Sequence, residues 1–209
     1  MTCVDLTAPF HGRKVEAEII RREVPLKSDK TEYTGVVYNI SHSSMMGSYI
    51  DFPGHILETD DGVNAANADL ADFTGIPAAV IHLDRAGQPG GVSAADLEKA
   101  YGGVPDTPAV IINALGSTGS FGIPPRSVYL TLDAVEWLKK TPCRLLVSDI
   151  YESTALEGVF LQLFGGGIAT VCEPANLHKL PSGVVKLNVL FPKIAITQLP
   201  CALTAEFLP

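Results

Sequence analysis

The chain has 209 residues, 46% of them apolar or aromatic and 18% charged, which describes a protein with a packed core and excludes a disordered one. A net charge of −8, from 15 basic and 23 acidic residues, argues against a nucleic-acid or anionic-membrane partner held by bulk charge. No apolar run reaches the roughly 18 residues that a membrane span needs. The opening MTCVDLTAPFHG carries no basic region followed by an apolar stretch. A cytoplasmic protein is expected, with Cys3, Cys143, Cys172 and Cys201 reduced. No Pro/Gly/Ser-rich linker separates halves of different composition, so residues 1–209 read as a single domain.

In chain order, the basic pairs Arg13-Lys14 and Arg21-Arg22 read as solvated surface, and 36–40 reads as the first strand. Strands follow at 78–83 and 109–112, apolar without alternation, as in strands buried on both faces. Ser93 with Asp96 forms a relative of the capping box and opens a helix that Gly102-Gly103 can stop. Ser117-Thr118-Gly119-Ser120 reads as a plain turn. Thr131 opens a second helix, with Leu132, Val135 and Leu138 on one face and Asp133 in its first turn. Strands at 144–147, 168–171 and 184–190 and a third helix over 154–164, stopped by Gly165-Gly166-Gly167, complete the pattern. Alternating strands and helices predict an α/β fold with a mixed sheet.

The chemistry concentrates in 41–55. If 48–51 is extended, Tyr49 and Asp51 point the same way, Pro53 ends the strand, and His55 follows on a loop. Asp51 and His55 can converge on a metal or on a substrate proton, and the spacing leaves open a turn-capping Asp and a surface His. His42 and His82 read as structural and His178 as a loop residue. Cys172 reads as inert, because the neighbouring Glu173 disfavours its thiolate.

The segment 45–55 resembles the H-x-G-T-H-x-D-x-P-x-H signature of the cyclase family of metal-dependent hydrolases, which includes kynurenine formamidase (an arylformamidase) and isatin hydrolase. Gly47, Asp51, Pro53 and His55 match, and Ser48 replaces Thr. Outer matches fall in the family's order: 5–9 resembles its opening D-L-[ST]-x-P, 75–77 its G-x-P, and Asn176-Leu177 a late E-x-x-x-N-L element. The resemblance implies a swivelling β/β/α domain, a mixed central β-sheet flanked by helices, assembled as a homodimer or larger homo-oligomer. It implies hydrolysis of a small amide, formamide or lactone at zinc or manganese, whose bound water becomes a hydroxide near neutrality.

The departures fall on ligands. The signature's first two histidines are replaced by Met45 and Tyr49, a further family His falls on Phe160, and the late Glu aligns with Cys172 unless one residue of slippage brings in Glu173. Two arrangements stay open. In one, Asp51, His55 and Glu173 hold a thinned metal site. In the other, no metal binds, Asp51 orients His55 as general base, and Tyr49 donates to a carbonyl oxygen. The alternatives to a hydrolase are a metal-free cyclase or lyase, and a non-catalytic protein that kept the fold and binds a small molecule.

Overall fold

A computed structural model describes residues 1–10 and 17–208; the expected surface pair Arg13-Lys14 lies outside the described residues. The strands run β1 (Thr2–Asp5), β2 (Ala17–Lys27), β3 (Glu32–His42), β4 (Tyr49–Asp51), β5 (Ile76–His82), β6 (Gly90–Val92) and β7 (Ala109–Asn113). They continue as β8 (Val128–Leu130), β9 (Leu145–Ser148), β10 (Ala169–Cys172), β11 (Gly183–Leu190), β12 (Gln198–Pro200) and β13 (Ala202–Phe207). Three helices, α1 (Ala94–Tyr101), α2 (Leu132–Lys139) and α3 (Val159–Gly165), interrupt them.

One mixed sheet organises the described residues, in the order β1-β13-β11-β5-β7-β9-β10-β4-β12. Its centre, β5-β7-β9-β10, is parallel, and the strands on either side join antiparallel. Every residue of β7 is buried, as its unalternating apolar run requires. Alternate residues serve two cores. Ile111, Val147 and Val171 face one with Leu6, Ile50 and Phe52. Val110, Ile112 and Leu146 face the other, which the helices cover with Leu97, Val135, Leu138, Val159 and Leu163. On the first side Phe52, Phe73 and Phe191 close the curled sheet edge-to-face, with centroids 5.2–6.0 Å apart.

The capping box forms as expected: the Ser93 hydroxyl accepts from Asp96 N–H at 3.2 Å, and the Asp96 carboxylate accepts from Ser93 N–H at 2.9 Å. Gly102 then ends α1 in the left-handed region, with φ 84°. The third helix starts later than 154. The buried carboxylate of Glu152 accepts the N–H groups of Ser153, Glu157, Gly158 and Val159 at 2.7–3.1 Å. Residues 153–158 therefore wrap around that carboxylate, and α3 starts at Val159.

Strands β2 and β3 stand apart as a two-stranded ribbon with eleven paired positions. The sequence reading found only the centre of β3. It missed β2 because Arg21, Arg22 and Glu23 interrupt its alternation. Apolar side chains lie exposed on both faces: Ile19, Tyr38 and Ile40 on one, Ile20, Val37 and Tyr33 on the other. No helix among the described residues is long and apolar enough to cross a membrane.

Candidate functional site

Three-residue β4 is wedged antiparallel between β10 and β12. The register sets Tyr49 opposite Cys172 and Pro200, and Asp51 opposite Thr170 and Gln198. Strand alternation puts these side chains on one face and sends Ile50, Val171 and Leu199 into the core behind. The approach to β4 is fixed by two small residues. Gly47 has φ 62°, and a Cβ there would lie 2.9 Å from the Ala8 carbonyl oxygen. Ser48 donates to the Glu173 carbonyl and accepts from Ala8 N–H, both at 2.8 Å, tying β4 to the exits of β10 and β1.

Asp51 is 2% exposed. Its Oδ2 accepts from the Cys172 thiol at 3.6 Å, while Oδ1 has no hydrogen-bond partner among the described residues. Burial pushes its carboxyl up to about 6, against the lowering influence of the Gln198 amide, the His55 ring, Cys172 and Thr170. Burial, reinforced by Cys172, Asp51 and Glu173, holds the Tyr49 phenol far above its ordinary value, so Tyr49 is a neutral donor. Burial and the Asp51 charge likewise keep the Cys172 thiol protonated, in agreement with its expected inertness.

His55 ends a short 3₁₀ turn, Pro53–His55, and does not pair with Asp51 directly. Gln198 links them: it is the register partner of Asp51, and its Nε2 lies 3.1 Å from His55 Nε2. The Gln198 Oε1 accepts a short hydrogen bond from Ser44, so the amide nitrogen is the end that faces the imidazole. In this assigned arrangement His55 Nε2 accepts and its proton resides on Nδ1.

Glu173 lies just past β10 with φ 55°, which takes it off the strand's alternation. Cys172 therefore occupies the strand position facing Tyr49. The Glu173 carboxylate instead accepts from the Ser120 hydroxyl at 2.9 Å. Beside it, the two oxygens of Asp149 accept the N–H groups of Ala114 and Leu115, both at 2.9 Å, and burial pushes this carboxyl also up to about 6.

These groups border a cleft of about 530 Å³. Tyr49, Cys172, Glu173, Asp149 and Ser120 form its polar side, and Leu115, Ile123, Val128, Ile150 and Phe160 its apolar side. Its size and mixed walls suit a small organic ligand. Neither Asp51 nor His55 lines it. Of the expected site residues, Tyr49 and Glu173 meet in the cleft, Asp51 lies beside them off its wall, and His55 connects through Gln198. The sequence reading missed Gln198, carried by a strand too short to show alternation, and Ser120, which it read as part of a plain turn. His82 donates from Nε2 to the Leu180 carbonyl at 3.0 Å and accepts from Asn113 at 2.8 Å, while His42 and His178 are exposed.

The model of the family "Cyclase", described as "Putative cyclase", matches residues 4–153. The chain belongs to the cyclase family. Solved structures share the fold. Isatin hydrolase A from Labrenzia aggregata, bound to benzyl benzoate, aligns with a TM-score of 0.75 at 18% identity, over 98% of this chain and 93% of that one. A predicted metal-dependent hydrolase from Bacillus stearothermophilus aligns at 0.70 and 16%, over 98% and 97%. Isatin hydrolase A from Ralstonia solanacearum aligns at 0.73 and 16%, over 98% and 91%. A search of curated proteins finds no match.

The metal expected of a cyclase-family member does not fit the side chains of the described residues. Met45 is exposed and offers only a thioether, Tyr49 is a neutral phenol, and Phe160 stacks on Tyr151 at 5.0 Å. Cys172 holds its proton, and the His55 Nε2 lone pair already faces Gln198. No group of three or more His, Cys, Asp and Glu among the described residues is placed to hold an ion. Asp51, His55 and Glu173 are thus not gathered into the thinned three-ligand site that the sequence left open.

Proposed function

We propose that the chain hydrolyses a small aryl or cyclic amide, formamide or lactone in this cleft, with protein side chains in place of a metal. One observation carries the reading: a neutral phenol and a hydrogen-bonded carboxylate, Tyr49 and Glu173, border one cleft with an apolar wall. Tyr49 donates to the substrate carbonyl oxygen and to the oxyanion that develops there. Glu173, oriented by Ser120, takes a proton from water as its oxygen bonds to the carbonyl carbon. Collapse of the tetrahedral intermediate breaks the C–N or C–O bond, and the proton on Glu173 passes to the leaving nitrogen or oxygen. Asp51 and Cys172 act behind Tyr49 by keeping the phenol neutral.

Isatin, formanilide and aryl lactones are the substrates to assay, with product release followed in excess EDTA. Tyr49→Phe and Glu173→Gln each lower kcat/KM by about 100-fold, and EDTA leaves the wild-type rate unchanged. Loss of the wild-type rate in EDTA, with stoichiometric metal by mass spectrometry, overturns the metal-free mechanism. The orphaned Asp51 Oδ1 is the observation that favours that outcome.

We further propose a homo-oligomer in which a second copy covers the β2-β3 ribbon. An isolated two-stranded ribbon is marginal in water, and this one exposes large apolar side chains on both faces. Tyr38→Asp with Ile40→Asp lowers the mass measured by light scattering to that of a monomer.

A further inference from the structure

The carboxylates along the cleft are already served by donors of the protein. Glu152 accepts four backbone N–H groups, Asp149 accepts two, and Glu173 accepts the Ser120 hydroxyl. The remaining charged residue of the cleft lining is different. Arg126 is exposed and has neither a hydrogen bond nor an ion pair among the described residues.

Its backbone is unusual as well. Ser127 N–H bonds to the Pro124 carbonyl at 3.1 Å and closes a turn whose third residue is Arg126, with φ 56°. Glycine takes that conformation freely, whereas an arginine there is strained. The turn leads directly into β8, whose first residue, Val128, belongs to the apolar wall. Arg126 thus joins the cleft lining two residues before that wall. Tyr49 borders the same cleft.

We infer that Arg126 is a specificity-determining residue that binds a carboxylate on the substrate. The substrate class is a compact aromatic or alicyclic acid, with its ring against Ile123, Val128 and Phe160. Its carboxylate meets Arg126 and its scissile carbonyl meets Tyr49. A guanidinium fork matches a carboxylate in plane and can bind it with two hydrogen bonds. The protein's charge of −8 would otherwise repel such an acid, so the local cation decides whether it enters. The inference rests on the hydrolase reading for the position of the carbonyl, and its test is a binding measurement that needs no turnover.

The probes are benzoate and its uncharged counterpart benzamide, titrated into the full-length protein and followed by isothermal calorimetry and by saturation-transfer NMR. Wild type binds benzoate at least about tenfold more tightly than benzamide at low salt, and the preference shrinks as sodium chloride is added. Arg126→Gly is the informative variant, because glycine suits φ 56° and spares the fold. It weakens benzoate about tenfold and leaves benzamide unchanged, while Arg126→Lys retains part of the preference. Equal affinity of wild type for the two probes, or unchanged benzoate binding in Arg126→Gly, overturns the inference. Arg126-dependent benzoate binding in a protein that hydrolyses none of the assayed substrates upholds it and removes the hydrolase reading.

Discussion

Asp51 is buried and Asp149 half-buried, and desolvation pushes each carboxyl up to about 6, yet they sit in opposite surroundings. Both oxygens of Asp149 are occupied by backbone N–H groups, so the side chain pins the start of the loop after β7 to the end of β9. Among the described residues Asp51 has a weak thiol on one oxygen and no hydrogen-bond partner on the other. A shift in the same direction therefore accompanies different hydrogen bonding. Asp149 clamps two backbone N–H groups, whereas Asp51 is an incompletely paired carboxyl beside Tyr49, at a cost in stability. Hydrogen-bond completeness separates the two where titration does not.

The largest expected effect breaks the clamp. Asp149→Ala leaves the N–H groups of two buried residues, Ala114 and Leu115, without acceptors. The expected loss is roughly 3 kcal/mol, a fall in melting temperature of about 6–12 °C by calorimetry. A fall no larger than that of an average surface substitution would remove the distinction.

The second prediction has the opposite sign. The folded state holds the Asp51 proton more tightly than the unfolded chain, from the ordinary value of 3.8 up to about 6. The unfolded state thus binds fewer protons across that window, and this residue's contribution to stability falls as pH rises through it. Asp51→Asn keeps an acceptor for the Cys172 thiol, removes that slope, and stabilises the protein by roughly 2 kcal/mol above pH 6, measured by urea titration at pH 4 and pH 8.

The smallest effect tunes the same carboxyl. Cys172→Ser replaces a weak S–H donor with an O–H donor on Asp51 Oδ2. The Asp51 midpoint moves down by a fraction of a pH unit in carboxyl-carbon NMR, while that of Asp149 stays in place.

Much of the fold was legible in the sequence because its central strands are buried on both faces. The runs at 78–83 and 109–112 overlap β5 and β7, and Ser93 with Asp96 marks the start of α1. The late start of α3 was hidden because it depends on one carboxylate, Glu152, collecting N–H groups up to seven residues away. The site was legible only in part. Tyr49 and Asp51 share a face because strand geometry is local and periodic. Their neighbours Cys172 and Gln198 arrive by pairing across more than a hundred residues, which periodicity does not encode. Glu173 shows the limit most sharply: a single residue with φ 55° at the strand end decides which of two adjacent side chains faces Tyr49.

The pairing of β1 with β13 joins Thr2–Asp5 to the segment that ends at Phe207. During synthesis the strand at Thr2–Asp5 stays unpaired until Ala202–Phe207 has left the ribosome. The same delay applies to β4, whose neighbours β10 and β12 begin at Ala169 and Gln198. The nascent chain therefore carries the exposed apolar side chains of β2 and β3 before β4 can pair, and the surroundings of Tyr49 and Asp51 are complete only after Gln198 has been made.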